Sequence, residues 1–109
     1  MKSKIAVFPG SFDPITNGHI NLVERSISLF EKIIIGVGAN SQKQSLFSLD
    51  QRIHWLREIF AKYPMVEVDA YNGLTIDFCK EKQAGIILRG LRSAGDFEYE
   101  KSIALINRS

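Results

Sequence analysis

Four short apolar runs alternate with longer segments of helical spacing, and this alternation restricts the fold more than any other feature of the chain. Each run is too short for a separate helix, so we expect each one to form a strand. The runs lie at Lys4–Phe8, Ile33–Ala39, Val66–Tyr71 and Ile86–Arg89. Near-continuous apolar strands of this kind are typical of a sheet that is covered on both faces.

The segments between these runs have the three- and four-residue spacing of amphipathic helices. The first helix is expected to begin near Gly18. The second opens at Ser48, which forms a capping-box pattern with Gln51, and ends at Tyr63 because Pro64 disfavours helical geometry in the residue before it. Their apolar faces contain Ile20, Val23, Ile27 and Phe30 in the first, and Leu49, Ile53, Leu56 and Phe60 in the second. Two further helices are expected at Leu74–Gln83 and Asp96–Arg108.

Strict alternation of strand and helix predicts an α/β fold, a doubly wound parallel sheet with helices on both faces. In such sheets ligands bind beyond the carboxyl ends of the strands, where the strand order reverses. The length of 109 residues fits one domain over residues 1–109. A doubly wound sheet usually has a fifth strand, and none precedes Ser109, so we expect the C-terminal part of the domain to be missing.

Composition narrows the class of ligand. The net charge of +2 is too small to indicate nucleic-acid binding, and it would suit binding of a small anionic ligand just as well. The basic residues are dispersed, without the interleaved aromatic residues that single-strand binders use. No apolar run approaches the roughly 20 residues that cross a membrane. One cysteine, Cys79, permits no internal disulfide, which agrees with a cytoplasmic setting.

The stretch Phe8–Ile20, FPGSFDPITNGHI, joins the first strand to the first helix and is dense in turn-forming residues. Gly10 permits close approach of a ligand to the backbone, and Asp13–Pro14 favours a turn. Asn17–Gly18 marks the head of the helix, so His19 falls in its first turn, where free N–H groups favour an anion. The stretch therefore predicts a phosphate site; the alternative is a tight turn with His19 on the surface.

Two blocks resemble known motifs. GSFDPITNGH contains Thr16–His19, TNGH, which resembles the T/H-x-G-H motif of the nucleotidyltransferase superfamily, and ILRGLRSAGDFEYE at Ile87–Glu100 resembles a segment of the phosphopantetheine adenylyltransferases. The resemblance implies a Rossmann-like nucleotidyltransferase fold and adenylyl transfer from ATP to 4′-phosphopantetheine, giving dephospho-coenzyme A and pyrophosphate. Nicotinate mononucleotide adenylyltransferases are an alternative, but they usually have His at the position of Thr16. The cytidylyltransferases share the fold, but their later motif has no match here.

The resemblance also implies residue roles. The attacking phosphate is already ionised, so catalysis needs alignment and charge stabilisation rather than a general base. His19 is expected to stabilise the transition state at the α-phosphate. The expected 4′-phosphopantetheine ligands are Ser11, Lys43, Thr75 and Arg89. The expected ATP ligands are Ser11, Phe12, His19, Gly90, Leu91, Arg92 and Glu100. Mg²⁺ is expected to accompany ATP, held mainly by phosphate oxygens and water.

The family further implies a hexamer and feedback binding of coenzyme A. It places a serine-rich ATP loop, with a nearby arginine, after the position where this chain ends. A truncated, catalytically incompetent fragment that binds ligand or assembles is therefore the alternative to an active enzyme.

Several residues also have structural interpretations. Lys43 can simply be solvated, and Arg89 and Arg92 can pair with the acidic residues that follow them. We expect Asp13 to be structural, capping its loop. His54 is expected on the surface, and Trp55 and Cys79 are expected to pack.

Overall fold

A computed structural model describes residues 4–39 and 45–90, together with the backbone of residues 97–99. The elements, in chain order, are β1 Ile5–Gly10, α1 Asn17–Ser26, a 3₁₀ turn at Ile27–Leu29, β2 Lys32–Gly38, α2 Leu49–Ile59, β3 Val66–Tyr71, α3 Thr75–Glu81, β4 Ile86–Gly90 and β5 Phe97–Tyr99. The four predicted strands and the first three predicted helices are confirmed, with ends shifted by a few residues.

The strands form one sheet in the order β3-β2-β1-β4-β5. Pairing is parallel from β3 through β2 and β1 to β4. The chain therefore moves from β1 outward to β2 and β3, then returns through α3 to place β4 on the other side of β1. This is the doubly wound α/β arrangement that the alternation predicts, and its strand order reverses between β1 and β4.

The expected fourth helix, Asp96–Arg108, is wrong for the part of it that the structure describes. Phe97–Tyr99 forms β5, which pairs antiparallel with β4. Two aromatic residues flank one charged residue in this short segment, and aromatic residues favour strands. Pairing also satisfies backbone groups at the open edge of β4. Asp96 and residues 100–108 lie outside the described residues.

The helices cover both faces of the sheet and separate the core into two layers. One layer lies beneath α1 and α2 and contains Ala6, Phe8, Phe12, Leu22, Val23, Phe30, Ile33, Ile35, Val37, Leu56, Phe60 and Leu88. The other lies beneath α3 and contains Val7, Ile34, Phe78, Cys79 and Ala84. Successive residues of β1 and β2 therefore enter opposite layers, which explains why these strands are apolar throughout.

One helix ends earlier than expected. Helix α1 ends at Ser26, whose buried hydroxyl donates to the Leu22 carbonyl oxygen at 2.8 Å. Cys79 of α3 packs in the α3 layer as expected, and its burial raises the pKa of the thiol to about 11. No helix in the described part of the chain is long and apolar enough to cross a membrane.

Gly36 lies in the middle of β2 beneath an aromatic pair. The rings of Tyr71 and Phe78 are stacked, with centroids 4.5 Å apart and planes at 14°. A Cβ atom at Gly36 would lie 2.7 Å from Phe78 Cε2 and 3.2 Å from Tyr71 Cε1. The absence of a side chain at this position therefore allows the two rings to pack directly on the strand.

We expect Gly36→Ala to lower the free energy of unfolding by about 1–3 kcal/mol, because the added methyl group overlaps rings that are fixed in the core. Gly38→Ala is the matched control in the same strand, since the nearest atoms to its Cβ lie 3.9 and 4.0 Å away. Urea unfolding of the two variants measures the difference. Equal midpoints for both variants would contradict the steric account.

Candidate active site

The candidate site lies beyond the carboxyl ends of β1 and β4, where the strand order reverses. Residues Ala6 and Val7 of β1 pair with Ile86 and Ile87 of β4. Continued along the strands, this register brings the ends of β1 and β4 to the same level of the sheet. The loop after β1 and the first turn of α1 therefore border the crevice in which ligands bind in folds of this class.

Thr16 and His19 form reciprocal hydrogen bonds at the start of α1. Thr16 is the N-cap, and its hydroxyl accepts from the His19 backbone N–H at 3.3 Å. In return, the Thr16 backbone N–H donates to His19 Nδ1 at 3.0 Å. This is a capping box in which histidine takes the place usually held by Glu or Gln. The cap is thus Thr16 rather than Asn17–Gly18, and His19 lies in the first turn as predicted.

These contacts determine which nitrogen of His19 carries the proton. Because a backbone N–H can only donate, Nδ1 must accept, and a neutral ring then has its proton on Nε2. Partial burial lowers the pKa of His19, which favours this neutral form. The ring packs against Phe12 and Phe8, with centroid distances of 4.9 and 5.9 Å. The side chain is therefore an oriented, neutral imidazole whose Nε2 is a hydrogen-bond donor.

Phe12 contributes its ring to the core rather than to the crevice. Only 3% of the residue is exposed, and its ring makes an edge contact with Phe8 at 5.3 Å. Its φ of +49° is unusual for a residue with a side chain. Contact between ATP and Phe12 would therefore use the backbone. A Cβ at Gly10 would lie 3.1 Å from Phe12 Cε2, so the Phe12 ring also accounts for this glycine.

Asp13 connects the loop after β1 to the segment before α2. Its Oδ2 accepts from the Leu46 N–H at 2.6 Å, and its Oδ1 accepts from the Phe47 N–H at 2.8 Å. The structural role expected of Asp13 is confirmed, although the loop that it caps is a different one. The Asp13–Pro14 peptide bond is cis.

Sequence reasoning missed Arg52, which is only 2% exposed. Its Nη1 donates to the Ser11 carbonyl at 2.9 Å, and its Nε lies 3.1 and 3.3 Å from the carbonyls of Phe47 and Ser48. Its Nη2 is buried and has no hydrogen-bond partner in the described part of the chain. The available signal was its position: a charged residue on the apolar face of α2, one turn before Leu56.

The structure places the remaining predicted ligands as follows. Ser11 is exposed directly after β1. Thr75 begins α3, and its hydroxyl lies 2.7 Å from that of Tyr71 at the end of β3. Arg89 is exposed near the end of β4, where its Cα is paired with that of Glu98. Only the backbone of Gly90 is described, and Lys43, Leu91, Arg92 and Glu100 lie outside the described residues.

The structure therefore brings together Ser11, Phe12 and His19 in one loop and helix turn, with Arg89 on the neighbouring strand. Thr75 reaches the same edge of the sheet from two strands away. His54 is on the surface as expected, with a side chain 67% exposed, and Trp55 packs on Phe47 at 4.9 Å. A cleft of about 390 Å³ between the end of α2 and β3 is lined by none of the predicted site residues.

Comparison with known proteins agrees with this geometry. The model of the family described as cytidylyltransferase-like matches residues 7–109. A phosphopantetheine adenylyltransferase from Christiangramia forsetii is 52% identical over 95% of this chain and 69% of its own. A protein of the same name from Leptospira biflexa is 51% identical over 99% of this chain and 67% of its own. The chain thus spans about two thirds of the length of these relatives.

Solved structures show the same fold at low sequence identity. A lipopolysaccharide core biosynthesis protein from Thermoplasma volcanium has a TM-score of 0.58 at 22% identity, covering 77% of this chain and 71% of its own. A bifunctional NMN adenylyltransferase/ADP ribose pyrophosphatase from Francisella tularensis has a TM-score of 0.55 at 21% identity. The match covers 73% of this chain and 25% of its own. Together with the relatives above, these findings show that the chain belongs to the cytidylyltransferase-like family and, within it, to the phosphopantetheine adenylyltransferases, which are nucleotidyltransferases.

Proposed function

We propose that this chain transfers the adenylyl group of ATP to 4′-phosphopantetheine, producing dephospho-coenzyme A and pyrophosphate. Family membership supports the reaction. The single structural observation that carries it is the reciprocal pair of hydrogen bonds between Thr16 and His19. This pair holds a neutral imidazole, with its donor on Nε2, beside the end of the first strand.

The reaction is a displacement at the α-phosphorus of ATP. An anionic phosphate oxygen of 4′-phosphopantetheine forms the new P–O bond, and the bond to the β-phosphate breaks as pyrophosphate leaves. No residue has to remove a proton from the nucleophile. His19 suits this requirement, because its Nδ1 already accepts from Thr16 and is not available as a base. Its Nε2–H can donate to an oxygen of the α-phosphate as negative charge develops there.

The start of α1 adds to the stabilisation of phosphate. This helix has 10 residues, and the positive end of its dipole is at Asn17 and Gly18, whose N–H groups have no acceptor within the helix itself. In the proposal, Ser11 contacts both ligands, while Lys43, Thr75 and Arg89 bind 4′-phosphopantetheine. ATP contacts Ser11, Phe12, His19, Gly90, Leu91, Arg92 and Glu100.

Mg²⁺ is proposed to accompany ATP and to neutralise charge on the departing pyrophosphate. The Asp13 carboxylate, in the loop after β1, already accepts hydrogen bonds from two backbone N–H groups. In the proposal, phosphate oxygens and water, rather than Asp13, therefore hold the ion. A hexameric assembly, feedback binding of coenzyme A and a cytoplasmic location complete the proposal, and they rest on family membership alone.

The direct test is formation of dephospho-coenzyme A and pyrophosphate from ATP and 4′-phosphopantetheine by the purified chain. We expect His19→Ala to lower kcat by about 10²–10³-fold while KM changes much less, because the interaction strengthens mainly in the transition state. His54→Ala is the matched control on an exposed part of α2 and should leave kcat unchanged. Absence of product from the unaltered chain would refute the function, and equal losses in binding and rate would reduce His19 to an anion ligand.

The protonation state of His19 gives a second prediction. Since burial lowers its pKa below the usual 6.5, we expect the free protein at pH 7 to contain the neutral ring with the proton on Nε2. Long-range ¹H–¹⁵N NMR correlations distinguish the two neutral forms and the cation. A ring protonated on Nδ1, or a cation at pH 7, would contradict the proposed donor role.

A third prediction concerns which of the two substrates Lys43 binds. We expect Lys43→Ala to raise KM for 4′-phosphopantetheine by about tenfold or more and to change KM for ATP much less, because the ammonium group would pair with the acceptor phosphate. Lys62→Ala is the control, since Lys62 follows α2 and lies over the Tyr63 ring. Steady-state kinetics with each substrate varied gives both values. An equal change in both would show that Lys43 is not specific to one substrate.

A further inference from the structure

We propose that Asp13 and Arg52 are positioning residues of this transferase. Together they form an inter-loop clamp, defined here as these two side chains, that joins the loop after β1 to the segment at residues 45–48. The clamp fixes the relative position of two loops that carry proposed substrate ligands. The inference rests on the proposed function for its catalytic consequence, but the clamp itself is a property of the contacts.

The two side chains hold the same segment by complementary groups. Asp13 accepts from the N–H groups of Leu46 and Phe47. Arg52 approaches the segment from α2, and its Nε lies within hydrogen-bond distance of the carbonyls of Phe47 and Ser48. All these bonds involve a charged partner, which makes them stronger than bonds between neutral groups. Segment 45–48 is therefore bound through both its donors and its acceptors.

Arg52 also reaches the other loop directly. Its Nη1 donates to the Ser11 carbonyl at 2.9 Å, so one guanidinium group contacts both loops. Ser11 and Asp13 flank Phe12, the residue with φ of +49°. The clamp therefore holds the loop on either side of its most unusual backbone position. A rigid, planar fork of donors is suited to this task, and a lysine ammonium group is not equivalent to it.

Apolar packing holds only part of segment 45–48 in place. Leu46 is 74% exposed. The hydrogen bonds to Asp13 and Arg52 reach the segment from both sides, while the Phe47 ring rests on Trp55. Arg52 is also a costly choice for a core position, because its buried Nη2 has no described partner. Its Nε and Nη1 contact carbonyls of both loops, so positioning is the better account of this arginine.

The two clamped loops both carry proposed ligands. Ser11 and His19 belong to the first loop and the helix that follows it. Lys43 precedes Leu46 by three residues, and three residues of chain span at most about 11 Å. Anchoring Leu46 therefore limits the region that Lys43 can reach relative to Ser11. Displacement of a bound reactant by about 1 Å can cost about 10²-fold in rate, so loss of this restraint should affect alignment.

Steady-state kinetics of Asp13→Asn and Arg52→Lys test the catalytic role. We expect each variant to raise KM for 4′-phosphopantetheine and to lower kcat, each by about tenfold. The double variant should be no less active than the more impaired of the two single variants, because both substitutions release the same clamp. Arg57→Lys is the matched control, since Arg57 is an exposed arginine of α2 that donates to the Val68 carbonyl at 3.3 Å.

Amide hydrogen exchange tests the clamp without relying on turnover. We expect exchange at Leu46 and Phe47 to become at least about tenfold faster in Asp13→Asn and in Arg52→Lys, while amides of β1 and β2 stay protected. Arg57→Lys should exchange like the unaltered chain. If the unaltered chain makes no dephospho-coenzyme A, the proposed function fails, and these exchange rates still decide whether the clamp exists.

Two results would overturn the inference. Unchanged exchange at Leu46 and Phe47 in both variants would show that the bonds do not hold the segment. Faster exchange throughout the sheet, with KM for both substrates unchanged, would show that Arg52 serves stability only. Asp13→Asn preserves the shape of the side chain, so it decides the question even if Arg52→Lys does not fold.

Discussion

The site depends on one reciprocal contact, the pair of hydrogen bonds that joins Thr16 to His19 at the start of α1. The contact performs two tasks at once. It satisfies backbone groups that a helix end otherwise leaves unpaired, and it holds the imidazole in one orientation and one neutral form. The Thr16 hydroxyl also lies 3.0 Å from His19 Nδ1, so a residue with no hydroxyl at this position would weaken both. Local helix stability and the chemistry proposed for His19 therefore have the same cause.

The order of the strands places this contact where it can act. The chain adds β2 and β3 on one side of β1 and returns to add β4 on the other, so the crevice opens beside the end of β1. Residues from two neighbouring strands then border one space, although Ser11 and Arg89 are far apart in sequence. The strands are rigid because their apolar side chains pack in both layers of the core. The polar groups of the site lie in the loops that follow these strands.

Periodicity predicted the strands, the first three helices and the edge of the sheet that carries the site, because these follow from local spacing and chain order. It failed at Phe97–Tyr99, where pairing with β4 determines the conformation and the spacing of apolar residues does not. The position of His19 followed from the motif, but its tautomer required the geometry of Thr16. Arg52 was missed because the buried face of a helix is predicted from its apolar residues, and Arg52 is charged. Its partners, such as the Ser11 carbonyl, are backbone groups of a distant loop that no residue type reveals.

The burial of the Phe12 ring has a consequence for the thermodynamics of ligand capture. The Phe12 ring contacts both Phe8 and His19, so the loop after β1 and the start of α1 share packing with the core. A loop that is already ordered loses little conformational entropy when a nucleotide arrives, so more of the interaction energy is retained as affinity. Substitution of exposed Ser11 would change the surface of this loop and leave its packing intact, whereas substitution of buried Phe12 would disturb the packing itself.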